Sequence, residues 1–427
     1  MSNFIEIIKN QKYELERLFK IPGIIDRKQR EFIDVNSPLA QIAVGVRRSG
    51  KSVLCRLALK EAQVNFGYVD FDDEALANVT AGELDDVFQA ALVVYGEFEH
   101  LFLDEIQNVS GWELFVNRLL RRGMHLVVTG SNSKLLWGEL ATHLTGRFLP
   151  TEVLPFTFAE YRRFCGRGPV DTTEDRAEVR RDYEEYFSNG GFPETFMPID
   201  RRAYFKVLYD SILKRDIIQR HRVRKPKLLS DLAFTVMSNC GCEASAQKFA
   251  RLFGEKGTHT IQDYLRYLEE GYLILTVPQY GCKAYERTRI GKVYAIDLGM
   301  AGYFSGFTPG DDRRGRRLEN LVYLQLRNCS RKLDYEIFYC RESAFEIDFL
   351  CVRLGRVVKL VQVAWELSDE KTRIREMKAL FAGAEKFGCD DLLLVTDHEN
   401  GEEKRGDRTV RIVDAPTWLL EMDQKMG

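Results

Sequence analysis

A chain of 427 residues exceeds one ordinary hydrophobic core and predicts roughly two to four domains. Its 45% hydrophobic and 30% charged residues match folded soluble proteins and exclude a disordered or collagen-like chain. With 62 Lys and Arg against 64 Asp and Glu, the formal net charge is -2, so only local basic patches are left to attract nucleic acid or membrane. Met1 to Lys20 is charged throughout and lacks the apolar core and small-residue cleavage site of a secretory signal, and no apolar run nears the roughly 20 residues that span a bilayer. A cytoplasmic protein is expected. The nine cysteines, at positions 55, 165, 240, 242, 282, 329, 340, 351 and 389, show no CxxC spacing and read as reduced, buried thiols. Cys240 and Cys242 have no histidine cluster beside them, which argues against zinc.

In chain order, an N-terminal helix (1–30) precedes a stretch in which short apolar runs alternate with amphipathic ones. Predicted strands are Gln41–Gly45, Phe66–Phe71, Leu101–Leu103, Leu126–Thr129 and Phe148–Val153, with helices at Ser52–Ala62, Leu84–Tyr95 and Trp112–Arg121 between them. That alternation predicts a parallel α/β sheet covered by helices, over residues 31–158. Residues 159–227 read as a helical lid, broken at Cys165–Pro169 and at Asn189–Pro193. Residues 228–310 give short helices, including Ala246–Leu252 and Thr260–Glu270, and then the β-rich Tyr272–Val277, a pattern that suggests a winged helix-turn-helix. Beyond a polar break at Gly310–Gly315, residues 311–427 form a second α/β domain. Its predicted strands are Tyr335–Tyr339, Phe345–Val352, Val357–Val363 and Asp391–Thr396, with a helix at Asp369–Phe387.

The first predicted strand runs into Gly45-Val46-Arg47-Arg48-Ser49-Gly50-Lys51-Ser52, which satisfies GxxxxGK[ST], with Val53 continuing into a helix. Such a loop aims backbone N–H groups at phosphates at the positive end of a helix. Lys51 would reach the β- and γ-phosphates of ATP and Ser52 would give its hydroxyl to Mg²⁺. A phosphate site of this kind wants a carboxylate at the end of a neighbouring buried strand, and Asp104 and Glu105 follow Leu101–Leu103. Asp104 would join the magnesium shell and Glu105 would activate water. Ser131 and Asn132, after Leu126–Thr129, are candidates to sense the γ-phosphate, with helix capping as the competing reading. Arg147, in Thr145-Gly146-Arg147, is a candidate to neutralise transition-state charge in cis or from a neighbouring subunit; the alternative is a surface ion pair.

The runs GVRRSGKS, LFLDEIQNV, VVTGSN, LTGR, VLPFTFAEY and GGFPE together resemble the prokaryotic ATP-binding proteins of the AAA type, from about Asp26 to Ala415. Those proteins carry a C-terminal domain of unassigned function. The resemblance implies ATP and Mg²⁺ at Lys51 and Ser52, a Walker B pair in Asp104 and Glu105, and a finger-like role for Arg147.

Seven cations, Lys214, Arg215, Arg220, Arg222, Arg224, Lys225 and Lys227, lie beside the winged module and suggest DNA backbone contacts, unless they form a solvated helix face or turn toward ATP. Acids in Thr260–Glu270 weigh against a phosphate groove there, and Tyr264, Tyr267 and Tyr272 read as core. In the C-terminal domain, Glu319, Asp348 and Gln362-Val-Ala364 have the order of a restriction-endonuclease-like core, whose acid-x-Lys is here Gln and Ala. Gln362 cannot replace a carboxylate on Mg²⁺, so a nuclease-like but inactive scaffold is expected unless Glu366 moves into the metal shell. Asp348 would otherwise be satisfied by backbone or by Arg341.

The expected function is Mg²⁺-dependent ATP binding and hydrolysis that drives a conformational switch, in a chain that acts alone, as a homo-oligomer or with a protein partner, away from membranes. An ATP-gated DNA-binding regulator and an ATP-dependent nuclease are the alternatives.

Overall fold

Five short runs rich in Val, Ile, Leu and Phe become strands: β1 (Ala40–Val44), β2 (Phe66–Asp70), β3 (His100–Asp104), β4 (His125–Gly130) and β5 (Phe148–Glu152). All pair in parallel, in the order β2-β3-β4-β1-β5. Parallel pairing requires cover on both faces, which explains why β1 and β3 are buried along their whole length. The cover comes from α1 (Ser2–Leu18), α2 (Lys51–Glu61), α3 (Leu84–Tyr95) and α4 (Trp112–Arg121). Under α2 the core joins Leu54, Leu59, Phe102 and Val127. The N-terminal helix α1 packs on α3 and β2, and its Gln11 side chain closes a two-way hydrogen bond with the Asp70 backbone at 3.0 Å.

The computed structural model describes residues 2–18, 24–132, 146–170, 172–281, 291–306 and 313–426. Thr145, Cys282 and residues 310–312 of the polar break lie outside these. The chain divides into two compact units, Met1–Leu154 and Pro155–Gly427. The N-terminal helix belongs to the first. The stretches read from sequence as lid, winged module and C-terminal domain all belong to the second.

In the second unit, α5 (Phe158–Phe164) starts at a capping box between Thr157 and Glu160, and α6 (Thr173–Asn189) ends at Gly190. The Gly-Gly-Phe-Pro run that follows is a packing point. Phe156 donates its N–H to the Gly191 carbonyl at 2.7 Å, and a Cβ on Gly191 would lie 2.2 Å from the Phe156 carbonyl oxygen. The Asp297 carboxylate accepts the Gly191 N–H at 2.6 Å from the other side. Next come α7 (Arg201–Ser211), continuing into a π-helix (Ile212–Gln219), α8 (Pro226–Ser238), α9 (Ala246–Leu252) and α10 (His259–Glu270). A small antiparallel sheet follows in the order β6 (Cys242–Glu243), β8 (Lys292–Ala295), β7 (Ile274–Val277).

After α11 (Leu298–Ser305) and α12 (Arg314–Leu333) comes a six-stranded mixed sheet. Its strands are β9 (Glu336–Arg341), β10 (Glu346–Arg353), β11 (Arg356–Val363), β12 (Leu392–Thr396), β13 (Gly401–Arg405) and β14 (Arg408–Asp414), in the order β13-β14-β12-β11-β10-β9. The strands β9 to β12 match the sequence reading to within two residues at most ends. The β13–β14 hairpin and the last helix, α14 (Ala415–Gln424), were not part of it. Helix α13 (Glu370–Phe387) seals the core over Ile347, Leu350, Leu360 and Leu394. Among the described residues no helix is long and apolar enough to cross a membrane, and all the cysteines are free.

Candidate nucleotide site

The carboxyl end of β1 is where a parallel sheet binds ligands, and the loop Gly45–Gly50 starts there. A Cβ on Gly45 would sit 2.1 Å from the Val153 carbonyl oxygen, so only glycine lets the loop leave β1 this close to the chain after β5. Arg48 (φ 69°) and Gly50 (φ 91°) are both left-handed, which curls the loop before α2 begins at Lys51. The buried Lys51 ammonium donates to the Val46 carbonyl at 3.1 Å and lies 3.5 Å from the Glu105 carboxylate. The buried Ser49 hydroxyl has no hydrogen-bond partner among the described residues. Val46 is buried, and Val53 is 38% exposed on α2.

The acids arrive from β3. Asp104 accepts the Ser52 hydroxyl at 2.8 Å, the Tyr68 hydroxyl at 3.2 Å and the Thr129 hydroxyl, with the Arg56 guanidinium at 3.5 Å. Burial, reinforced by Glu105, raises the Asp104 carboxyl against the pull of Arg56. Asp70, its register partner on β2, is pushed up to about 7 by burial and then by Asp104. Half-buried Asp70 and buried Asp104, with the hydroxyls of Ser52, Tyr68 and Thr129 on Asp104, form a hard oxygen set of the kind that suits Mg²⁺. Glu105 differs. Burial pushes its carboxyl up, but Lys51 and Arg47, with hydrogen bonds from Gln107 and Ser131, outweigh burial and hold it below the usual range. Its backbone is left-handed (φ 52°) and pinned by an N–H bond to the Thr129 hydroxyl at 2.9 Å. Gln107 donates to the Glu105 carboxylate and, at 3.4 Å, to Ser131 Oγ, while Asn132 is buried beyond β4.

Residues 38–162 match the AAA domain family, and residues 180–311 match a domain family of unknown function, DUF8612. An uncharacterized protein of Methanocaldococcus jannaschii is 34% identical over 376 residues, which are 85% of this chain and 83% of that protein. The chain belongs to its family. An uncharacterized protein of Haemophilus influenzae is 30% identical, over 93% of this chain and 96% of its own length. Among solved structures, the Walker-type ATPase of Pyrococcus abyssi aligns at 17% identity and a TM-score of 0.46, covering 66% of this chain and 96% of that one. The Aeropyrum pernix Orc1 protein in complex with DNA aligns at 12% identity and a TM-score of 0.32, covering 67% and 94%. Likenesses of this strength carry no argument about activity. The parallel sheet with its loop at β1 is the AAA-type arrangement to which the family match points.

The structure brings together Gly45 to Ser52, Asp104, Glu105 and Ser131. It does not bring Arg147. That residue is exposed and precedes β5, and its carbonyl accepts the Ala40 N–H at the amino end of β1. Four strand residues, about 13 Å, separate that edge from the loop, more than an arginine side chain spans. Arg27, Arg56, Tyr68, Thr129 and Gln107 are site residues that the sequence reading missed. Arg27 is buried and donates to the Ser49 carbonyl at 2.8 Å and the Leu154 carbonyl at 2.9 Å, clamping the loop from outside. Thr129 carried a signal, a hydroxyl ending an otherwise apolar strand next to β3; Arg27 carried none.

In the second unit, Asp348 does not depend on Arg341. It meets the ammonium of Lys292 at 2.9 Å and the Val363 N–H at 3.1 Å, while Arg341 reaches Glu243 at 3.1 Å and Glu346 at 3.8 Å. Gln362 is buried and occupied: its carbonyl accepts the Asp348 N–H at 3.1 Å and its amide donates to Glu376 at 2.5 Å. Glu366 is exposed beyond the end of β11. Tyr264 and Tyr272 are core residues, and Tyr267 stacks on His221 with centroids 3.8 Å apart.

Proposed function

We propose that the first unit binds ATP with Mg²⁺ and hydrolyses it to ADP and phosphate, the nucleotide state acting as a conformational switch. The observation that carries this reading is the Ser52–Asp104 hydrogen bond of 2.8 Å beneath a loop whose Lys51 faces Glu105. It joins a loop hydroxyl to a carboxylate 52 positions away in sequence, the pair that a phosphate-bound cation requires. Ser52 and Asp104 would hold Mg²⁺, which would supply neutralisation of the phosphate charge. Lys51 leaves the Val46 carbonyl for the terminal phosphates, and the loop N–H groups orient them. Glu105, kept ionised by Lys51 and Arg47, takes a proton from water as its oxygen bonds to the γ-phosphorus and the bond to the β,γ-bridging oxygen breaks. Ser131 and Asn132, at the end of β4, would sense the cleaved phosphate. The test is turnover and binding together. Glu105→Gln keeps ATP binding and loses about 10²- to 10⁴-fold in rate, the usual weight of a general base. Lys51→Ala loses binding. Equal turnover in wild type and Glu105→Gln removes the glutamate from this role, and intact binding in Lys51→Ala removes the loop. Arg147, out of reach in its own chain, is left to act on a neighbouring copy; its replacement by Ala then lowers the rate only where the protein self-associates.

A second reading, nucleotide-gated DNA binding through the winged-helix-like module, is favoured by one contact. Lys225 pairs with Glu255 at 2.7 Å, and its N–H meets Tyr264 Oη at 3.1 Å. This holds the exposed Arg222, Arg224 and Lys227 beside the α9–α10 turn, where Arg251 and Lys256 are exposed too. Phosphate contacts by these cations give a steep fall of log affinity with log salt, by nearly one unit of slope per contact. No duplex retention at low salt would end this version.

A further inference from the structure

A nuclease-like reading of the C-terminal domain implies a divalent metal between Glu319 and Asp348, and the side chains there do not fit one. Lys292, on β8, is 5% exposed. Its ammonium lies 2.9 Å from Asp348 on β10, 3.0 Å from Glu346 on the same strand and 3.1 Å from Glu319 on α12. The ammonium donates hydrogen bonds to Asp348 and Glu319 and forms an ion pair with Glu346, so three carboxylates surround its three N–H groups. The spacings are those of charge-assisted N–H···O bonds; Mg²⁺ would require its oxygens at about 2.0–2.1 Å. Further acceptor positions of the cluster are occupied as well. Glu319 accepts the Tyr294 hydroxyl at 2.7 Å, Asp348 accepts the Val363 N–H, and Gln362, where a third metal ligand would stand, is bonded to Glu376 and the Asp348 backbone. Among the described residues no group of three His, Cys, Asp or Glu is arranged to hold a metal.

We infer that the ammonium of Lys292 is the resident cation of this cluster, standing where a catalytic metal would sit and closing the domain to metal-dependent cleavage. Lys292 offsets charge on Asp348, Arg341 is shared between Glu243 at 3.1 Å and Glu346 at 3.8 Å, and burial, then Asp348, push Glu319 up to about 7. The same ammonium ties the small sheet to the six-stranded one within this unit. Lysine supplied by β8 is separated from its acids by 27 and 56 positions, so no local motif announces it.

This inference is independent of the ATPase reading and is tested on the full chain without nucleotide, by Mn²⁺ titration followed by electron paramagnetic resonance. Only binding lost on Asp348→Asn is counted, which sets aside any ion taken up at Asp104. Wild type shows none. Lys292→Ala gains one Mn²⁺ per chain, at least about tenfold tighter than any wild-type binding, and Lys292→Ala with Asp348→Asn loses it. If the alanine protein does not fold, Lys292→Gln, which keeps most of the volume without the charge, carries the same comparison. Wild-type Mn²⁺ binding that disappears in Asp348→Asn, or plasmid nicking with the same sensitivity, overturns the inference. So does a neutral Lys292 variant that folds and gains no site.

Discussion

Two residues fix the shape of the Gly45–Gly50 loop by different means. Gly45 acts by what it lacks, since an added methyl would overlap, at 2.1 Å, the carbonyl oxygen of Val153, a residue whose N–H is bonded to the Val44 carbonyl. Gly45→Ala therefore has to push β1 and the end of β5 apart, at a cost of about 1–3 kcal/mol for overpacking. Urea unfolding should show that loss, and ATP binding should fall with it; an unchanged midpoint would mean the loop can shift freely. Arg27 acts by what it supplies. Its guanidinium satisfies two buried carbonyls, Ser49 and Leu154, and bonds of this charged kind contribute about 1.5–3 kcal/mol each. Arg27→Ala should destabilise by at least about 2 kcal/mol and weaken ATP binding, whereas Arg27→Lys, with a single point of donation, should recover only part of both. The contrast also shows what a sequence can carry. Gly45 stands in a motif whose spacing encodes local geometry, so it is readable; Arg27 lies 22 positions before the carbonyl it meets, and nothing around it has a period or spacing tied to that loop.

At the scale of elements, the buried parallel strands were legible because each is a short apolar run bounded by polar residues, and β1 to β5 fall within a residue of expectation. The charged hairpin was not. Gly401–Arg405 reads Gly-Glu-Glu-Lys-Arg, an edge strand solvated on both faces, so it lacks the alternation that identifies a half-buried strand. Lys292 was missed for a related reason. Strand β8 shows its apolar residues plainly, but which of its side chains would meet α12 and β10 depends on tertiary register. The β2–β3 pair makes a prediction of its own. Asp70 and Asp104 end neighbouring strands in register, and Asp70 carries a folded pKa of about 7 against 3.8 for the free carboxyl, through burial and then Asp104. The folded state thus holds a proton that the unfolded chain releases. Stability falls as pH rises from about 4 to about 7, because the native state binds more protons there, and levels off above. Asp70→Asn retains an oxygen for the Asp72 N–H and removes the charge; it should flatten that slope and make the protein more stable than wild type at pH 8. Matching pH profiles of unfolding in the two proteins would show that Asp70 is ionised throughout.

At the scale of the molecule, each unit has a core of its own. The first is built on Leu54, Leu59, Phe102 and Val127 around the five-stranded sheet, and the second includes Ile347, Leu350, Leu360 and Leu394 beneath α13. Ligand that binds only the native first unit stabilises that unit by mass action, about 2.7 kcal/mol at a free concentration one hundred times Kd. For a unit of some 150 residues, each kcal/mol moves the midpoint by about 2–4 °C, so saturating ATP with Mg²⁺ should raise one calorimetric transition by roughly 5–10 °C. The transition of residues 155–427, which contain none of the loop or its acids, should stay in place. Lys51→Ala should abolish the shift without altering the second transition. A single transition that moves as a whole would show that the two cores unfold together, and an ATP shift surviving in Lys51→Ala would place the nucleotide away from the loop.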